Sequence, residues 1–138
     1  MEQCVPYGFR LYPTPPGFTQ HCGPVYLHDE RPQFATRIQA HHLNSVRIVH
    51  GGFLATLADS AFGVVIKRDL GLQAPPVTIN LSLDYIGAVR EGDWLVAEVQ
   101  LHKVGSKITN GSCLLSVDER LVLRASGIFM MATKLSPG

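Results

Sequence analysis

Hydrophobic and polar positions alternate most clearly in the second half of the chain. VTINLSLDY from Val77 and WLVAEVQLH from Trp94 place apolar residues at every second position, the period of a sheet with one covered face. With the stretches that follow, the pattern predicts strands over 77–86, 93–104, 107–118 and 121–133. Gly105-Ser106 and Asp118-Glu119-Arg120 have the length of hairpin turns, so this half reads as an antiparallel meander. The period changes from Gly51 to about Arg68, where the residues suit a helix of about 27 Å that breaks before Gly71, Pro75 and Pro76. Its apolar residues, Phe53, Leu54, Leu57, Ala58, Ala61, Phe62, Val64, Val65 and Ile66, fall on nearly every side, the mark of a buried helix. One long helix on one curved antiparallel sheet is an α+β solution. Residues 22–29 and 34–42 suit strands that Pro24 and Pro32 confine to edges or breaks. Residues 1–20, rich in proline and glycine, suit an irregular arm.

Composition narrows the class. At 138 residues, 46% hydrophobic and 17% charged, the chain is the size of one globular domain and outside the disordered range. A net charge of +1 supplies no broad field for nucleic acid or an anionic membrane. Cys4, Cys22 and Cys113 include no C-x-x-C spacing and cannot all pair, which fits a reducing cytoplasm. The N-terminal residues lack the basic start and apolar block of a signal peptide. The run after His50 is shorter than the roughly 20 residues a membrane span needs. A soluble protein is expected.

Asp59 stands inside the apolar helix. Its neighbours three and four positions away are Ala55, Thr56, Phe62 and Gly63, so no cation on the same helix pairs with it. An aspartate on a helix ordinarily faces water or bonds a neighbouring backbone group; a buried one costs several kcal/mol unless partnered or chemically employed. The helix start is the second oddity. Val49, His50, Gly51 and Gly52 offer no Ser, Thr, Asp or Asn oxygen to the first amides. Gly51-Gly52 reads either as a tight turn or as open donors at the positive end of a helix dipole, the physics of an oxyanion hole. Gly51 and Asp59 are separated by about 12 Å of helix rise, so they meet one small group only if two helices lie antiparallel across a dimer.

Asn44, then His50-Gly51-Gly52, then Leu57-x-Asp59 at the start of an apolar helix resembles the hotdog-fold acyl-CoA thioesterases, in particular the PaaI-like, phenylacetate-pathway branch. The resemblance covers roughly residues 17–133. It implies a sheet wrapped around a central helix, in homodimers or tetramers built from them. It further implies that the Gly51 amide and the Asn44 carboxamide polarise the thioester carbonyl, that His50 holds the loop, and that Asp59 from the other subunit acts as base or nucleophile with Thr78 orienting the water or the carboxylate. For the coenzyme A phosphates it implies Lys103, Gly105, Ser106 and Lys107 in the turn between long strands, with Arg90 and Tyr85. Coenzyme A belongs to the substrate, and neither metal nor cofactor is expected. The chain departs from the family in carrying Arg47 where glycine is usual, Gly87-Ala88 where a proline bend is frequent, and Lys107 one position late.

Thioester chemistry suits so sparse a set, because the carbonyl is weakly resonance-stabilised and the thiolate leaves readily. An α/β-hydrolase is excluded by length and by the absence of G-x-S-x-G. His41, His42 and His50 lack the companions of a metal motif and read as core or solvated histidines. The alternatives are a non-catalytic acyl-CoA binder and an acyl-thioester hydratase or dehydratase.

Overall fold

The computed structural model describes residues 4–131. Its central element is the helix α2, Gly51–Asp69, lying across a seven-stranded antiparallel sheet. The strands are β1 (Phe9–Leu11), β2 (Tyr26–His28), β3 (Gln33–Arg37), β4 (Val77–Tyr85), β5 (Trp94–Val104), β6 (Ile108–Val117) and β7 (Arg120–Met130), with a short helix α1 at Phe18–Cys22. The order is β1-β2-β3-β5-β6-β7-β4.

The alternating stretches form strands close to the expected bounds, and β5, β6 and β7 are the expected meander. At the β6–β7 turn Asp118 and Glu119 take φ of 48° and 67°, both left-handed, as a two-residue hairpin loop between twisted strands requires. The meander does not extend to β4. The chain leaves β4, crosses the sheet to β5, and β4 pairs with β7 as the outer strand. The end of the last predicted strand, 132–133, lies outside the described residues. Upstream, strand geometry ends at Arg37, and Ala40–His42 make a 3-10 turn where strand was expected. The arm is not wholly irregular, because Phe9–Leu11 pair with β2 and Phe18–Cys22 turn as α1.

The burial of α2 corrects the expectation of a helix covered all round. Its buried residues are Phe53, Leu54, Leu57, Ala58, Ala61, Phe62, Val65 and Ile66. This spacing of three and four draws one stripe, which packs against the sheet residues Phe34, Leu95, Leu115, Leu123 and Phe129. Ala55, Thr56, Asp59, Ser60, Gly63, Val64 and Lys67 occupy the other side and are only half-buried. The sequence looks apolar all round because alanine, glycine and one valine continue onto that open face. Asp59 is therefore at the edge of the core, with room beside it.

Candidate active site

The start of α2 satisfies its own donors except one. His50, extended at φ −60° and ψ 131°, caps the helix with its ring, and Nδ1 accepts from the Gly52 amide at 2.8 Å. The Phe53 and Leu54 amides donate to the His50 carbonyl. The expected row of open amides is thus corrected to a single one, because an imidazole nitrogen replaces the missing side-chain oxygen. The Gly51 N–H has no hydrogen-bond acceptor among the described residues. It sits where the peptide dipoles concentrate positive charge.

Two neighbours fix that peptide. Tyr85 donates its hydroxyl to the Gly51 carbonyl at 2.7 Å. A Cβ on Gly51 would lie 3.3 Å from the Tyr85 ring, so the ring lies flush against the glycine. Asn44 shapes the approach: Oδ1 accepts from the Val46 and Ile48 amides, and the Asn44 backbone N–H donates to the Ile48 carbonyl. The carboxamide oxygen is thereby engaged in ordering the 44–48 loop.

Arg47 in that loop has φ 67°. This is the left-handed conformation that costs a side-chain-bearing residue about 1–2 kcal/mol and costs glycine little. Its ion pair with Glu91 spans 3.5 Å between exposed groups and offsets little of that cost. Arg47→Gly is expected to raise stability by about 0.5 kcal/mol after the extra unfolded-state entropy of glycine is deducted; urea denaturation checks it, and a destabilised variant would contradict the assignment of strain.

The carboxylate is held from a different element. Thr78 on β4 donates its hydroxyl to Asp59 Oδ1 at 2.7 Å, Oδ2 has no hydrogen bond among the described residues, and Asp59 lines the adjoining cavity. That cavity, of about 380 Å³, is lined by Asp59, Ser60, Gly63, Val64 and Lys67 of α2, by Tyr12, Thr14, Pro15 and Thr19, and by Phe34, Pro75, Pro76 and Thr78. A second, of about 360 Å³, lies at the opposite end of α2 beside His50, Gly52 and Phe53.

His42 is a core residue of this second end. It stacks on Phe53 at 4.1 Å between centroids, Nε2 bonds the Cys22 carbonyl, and Nδ1 accepts from the Gln39 amide. Burial lowers its pKa, the Cys22 carbonyl raises it and neighbouring His41 lowers it. Burial also raises the Cys22 thiol and pushes that of Cys113 up to about 12. Neither is an activated nucleophile.

The residues expected around coenzyme A fall into two groups. Lys103, Gly105, Ser106 and Lys107 lie at the β5–β6 turn, the sheet end where Ile108, Met130 and Val77 are in register. Tyr85, in register with Leu123 and bonded to Gly51, lies at the other end, and exposed Arg90 follows Val89, whose carbonyl accepts from the Val49 amide just before α2. Along β4, Thr78 and Tyr85 are about 23 Å apart at the rise of an extended strand. A single chain therefore pairs Asp59 and Thr78 with the basic turn at one end, and Gly51, Tyr85 and Arg90 at the other. No spacing in the sequence signals that Tyr85 binds the Gly51 carbonyl. Lys67 belongs to no motif, although its place two turns beyond Asp59 puts it on the same helix face.

One long helix on a wrapped antiparallel sheet is the hotdog fold, and the chain belongs to the thioesterase superfamily, whose family profile matches residues 46–123. Among curated proteins it is 36% identical over 129 residues to a Pseudomonas aeruginosa protein named "Putative esterase", covering 91% of this chain and 96% of that one. A hypothetical thioesterase protein of Streptococcus pneumoniae, solved with coenzyme A, superposes with TM-score 0.67 at 25% identity over 75% of this chain and 82% of its own. The phenylacetic acid degradation protein PaaI of Thermus thermophilus, solved in a mutant form, shares the fold with TM-score 0.67 at 22% identity, covering 91% of this chain and 94% of its own. No helix of the described residues is long and apolar enough to cross a membrane.

Proposed function

We propose that the protein hydrolyses acyl-CoA thioesters, in the manner of the PaaI-like branch, at a site shared by two subunits. The observation that carries this reading is the separation of one anchored carboxylate from one unsatisfied amide by two turns of the same helix. Antiparallel pairing of β4 with its copy unites the two halves. Asp59, Thr78 and the basic turn of one chain then meet Gly51, Tyr85 and Arg90 of the partner subunit. Support comes from the strand itself: β4 is an open edge on which Val77, Ile79 and Tyr85 are each more than half exposed, and a long apolar edge left uncovered is prone to non-specific pairing. The relative solved with coenzyme A supports the substrate class.

In this reading the Gly51 amide binds the oxygen of the thioester carbonyl and gains strength as charge develops there. Asp59 removes a proton from water as the water oxygen bonds the carbonyl carbon, or attacks that carbon itself; Thr78 holds Oδ1 in either case. The carbon–sulfur bond breaks; in the first case the proton taken from water passes to the coenzyme A thiolate, and in the second water hydrolyses the acyl–aspartate anhydride, its oxygen entering the carboxylic products and its proton going to the thiolate. Lys103 and Lys107, with Arg90 of the partner subunit, meet the phosphates. The described cysteines are unpaired, in keeping with a cytoplasmic location. Assay of free thiol across short, long and aromatic acyl-CoAs is expected to give turnover, with sedimentation reporting a dimer or a dimer of dimers. Tight acyl-CoA binding without thiol release would assign a binder instead, and an active monomer would remove the shared site.

A further inference from the structure

The cavity beside Asp59 is a groove along one face of α2. Asp59, Gly63 and Lys67 recur at intervals of four and so lie in line. Midway, a Cβ added at Gly63 would meet nothing within 4 Å, so the groove floor there is bare helix backbone. Its walls are the apolar surfaces of Tyr12, Pro15, Phe34, Val64 and Pro76. Lys67 lines this groove and also the adjoining cavity of about 400 Å³, so it stands where the two meet. No ion pair among the described residues involves Lys67, and the nearest acidic neighbour in sequence, Asp69, is bonded to Arg68 at 2.8 Å. A lysine that is half-buried as a residue at the end of an apolar groove, without a carboxylate paired to it among the described residues, is matched by an anion brought in by a ligand.

We infer that Lys67 is a specificity-determining residue that selects acyl-CoA thioesters whose chain ends in a carboxylate, with the apolar middle of the chain lying over Gly63. The inference rests on the proposed thioesterase site, since the groove begins at Asp59. Helix rise sets the distance from Asp59 to Lys67 at about 12 Å, and the flexible lysine stem can reach back along it. An extended diacid chain of medium length spans that interval.

The test compares octanedioyl-CoA with octanoyl-CoA, which differ in the terminal group, on the parent enzyme and on Lys67→Met. The parent is expected to favour the diacyl substrate in kcat/KM, and Lys67→Met to reduce that preference by about tenfold or more, the worth of one charge-assisted hydrogen bond. Equal or reversed selectivity in the parent overturns the inference, as does a preference that survives in a folded Lys67→Met. A matching loss of affinity for free coenzyme A would assign Lys67 to the phosphates and likewise overturn it. Gly63→Leu provides a second variant, expected to slow both octyl substrates relative to acetyl-CoA by filling the groove. If no acyl-CoA is hydrolysed at all, the thioesterase reading fails, and calorimetric binding of octanoate against neutral octanamide, on the parent and on Lys67→Met, decides the Lys67 site by itself: a preference for octanoate that Lys67→Met abolishes supports it, and equal binding overturns it.

Discussion

Asp59→Asn is expected to lower kcat for acyl-CoA hydrolysis by about 10²–10⁴-fold while leaving the fold intact, the range in which a positioned base contributes to a reaction. The substitution preserves size and keeps an oxygen for the Thr78 hydroxyl, which lies 2.7 Å from Oδ1. What it removes is the negative charge and the ability to accept a proton or form an acyl anhydride. Asp59 is half-buried on the open face of α2 and outside the hydrophobic stripe, so the midpoint of thermal unfolding should stay close to that of the parent. Substrate should still bind, because the groove walls and the cations proposed to meet the phosphates are untouched. Single-turnover thiol release and equilibrium binding of a non-hydrolysable thioether analogue separate the two effects. Hydrolysis at the parent rate would take Asp59 out of the chemistry.

The parts of this molecule that were legible before its structure are those governed by periodicity. Strands β5, β6 and β7 alternate because each covers one side of α2, and α2 itself is bounded by glycines and a following proline pair. Asp59 stood out as a carboxylate in an apolar run, but the burial that would make it expensive is not there, because it lies on the half-buried open face of α2. Three features were not legible, and each depends on which groups meet in space. The crossing from β4 to β5 leaves no local trace, since an outer strand and a meander strand can carry the same alternation. The cap supplied by His50 depends on its ring folding back over Gly52, where a Cβ would be 2.9 Å from the imidazole. The hydroxyl of Tyr85 reaches Gly51 across 34 residues. Binary patterning finds which residues are covered; it does not find which polar groups meet. The proposed division of the site, by contrast, follows from a length: eight residues of helix are too long for one small substrate group to bridge.

Gly51→Pro is expected to reduce kcat by about 10²–10³-fold, equivalent to about 2.7–4 kcal/mol, the effect of deleting one oxyanion-hole donor. No side-chain replacement can remove a backbone amide, but proline does, and this position tolerates it unusually well. Gly51 is the first residue of α2, the place where proline is favoured because its missing N–H would have no helical partner anyway. The preceding residue must be extended, and His50 already has ψ 131°. The Gly52, Phe53 and Leu54 amides keep their acceptors, because those belong to His50. The new Cβ would be crowded by Tyr85, whose ring carbon would lie 3.3 Å away and must shift by a few tenths of an ångström. A stability change within about 1 kcal/mol is therefore expected, below the loss of transition-state binding, and lower entropy in the unfolded chain works in the variant's favour. Gly51→Ala is the matched control: it introduces the same Cβ beside Tyr85 but retains the N–H, so its activity should stay well above that of the proline variant. Equal losses in the two would trace the defect to crowding against Tyr85 and not to the amide. An active proline variant would mean that the thioester oxygen finds its donor elsewhere.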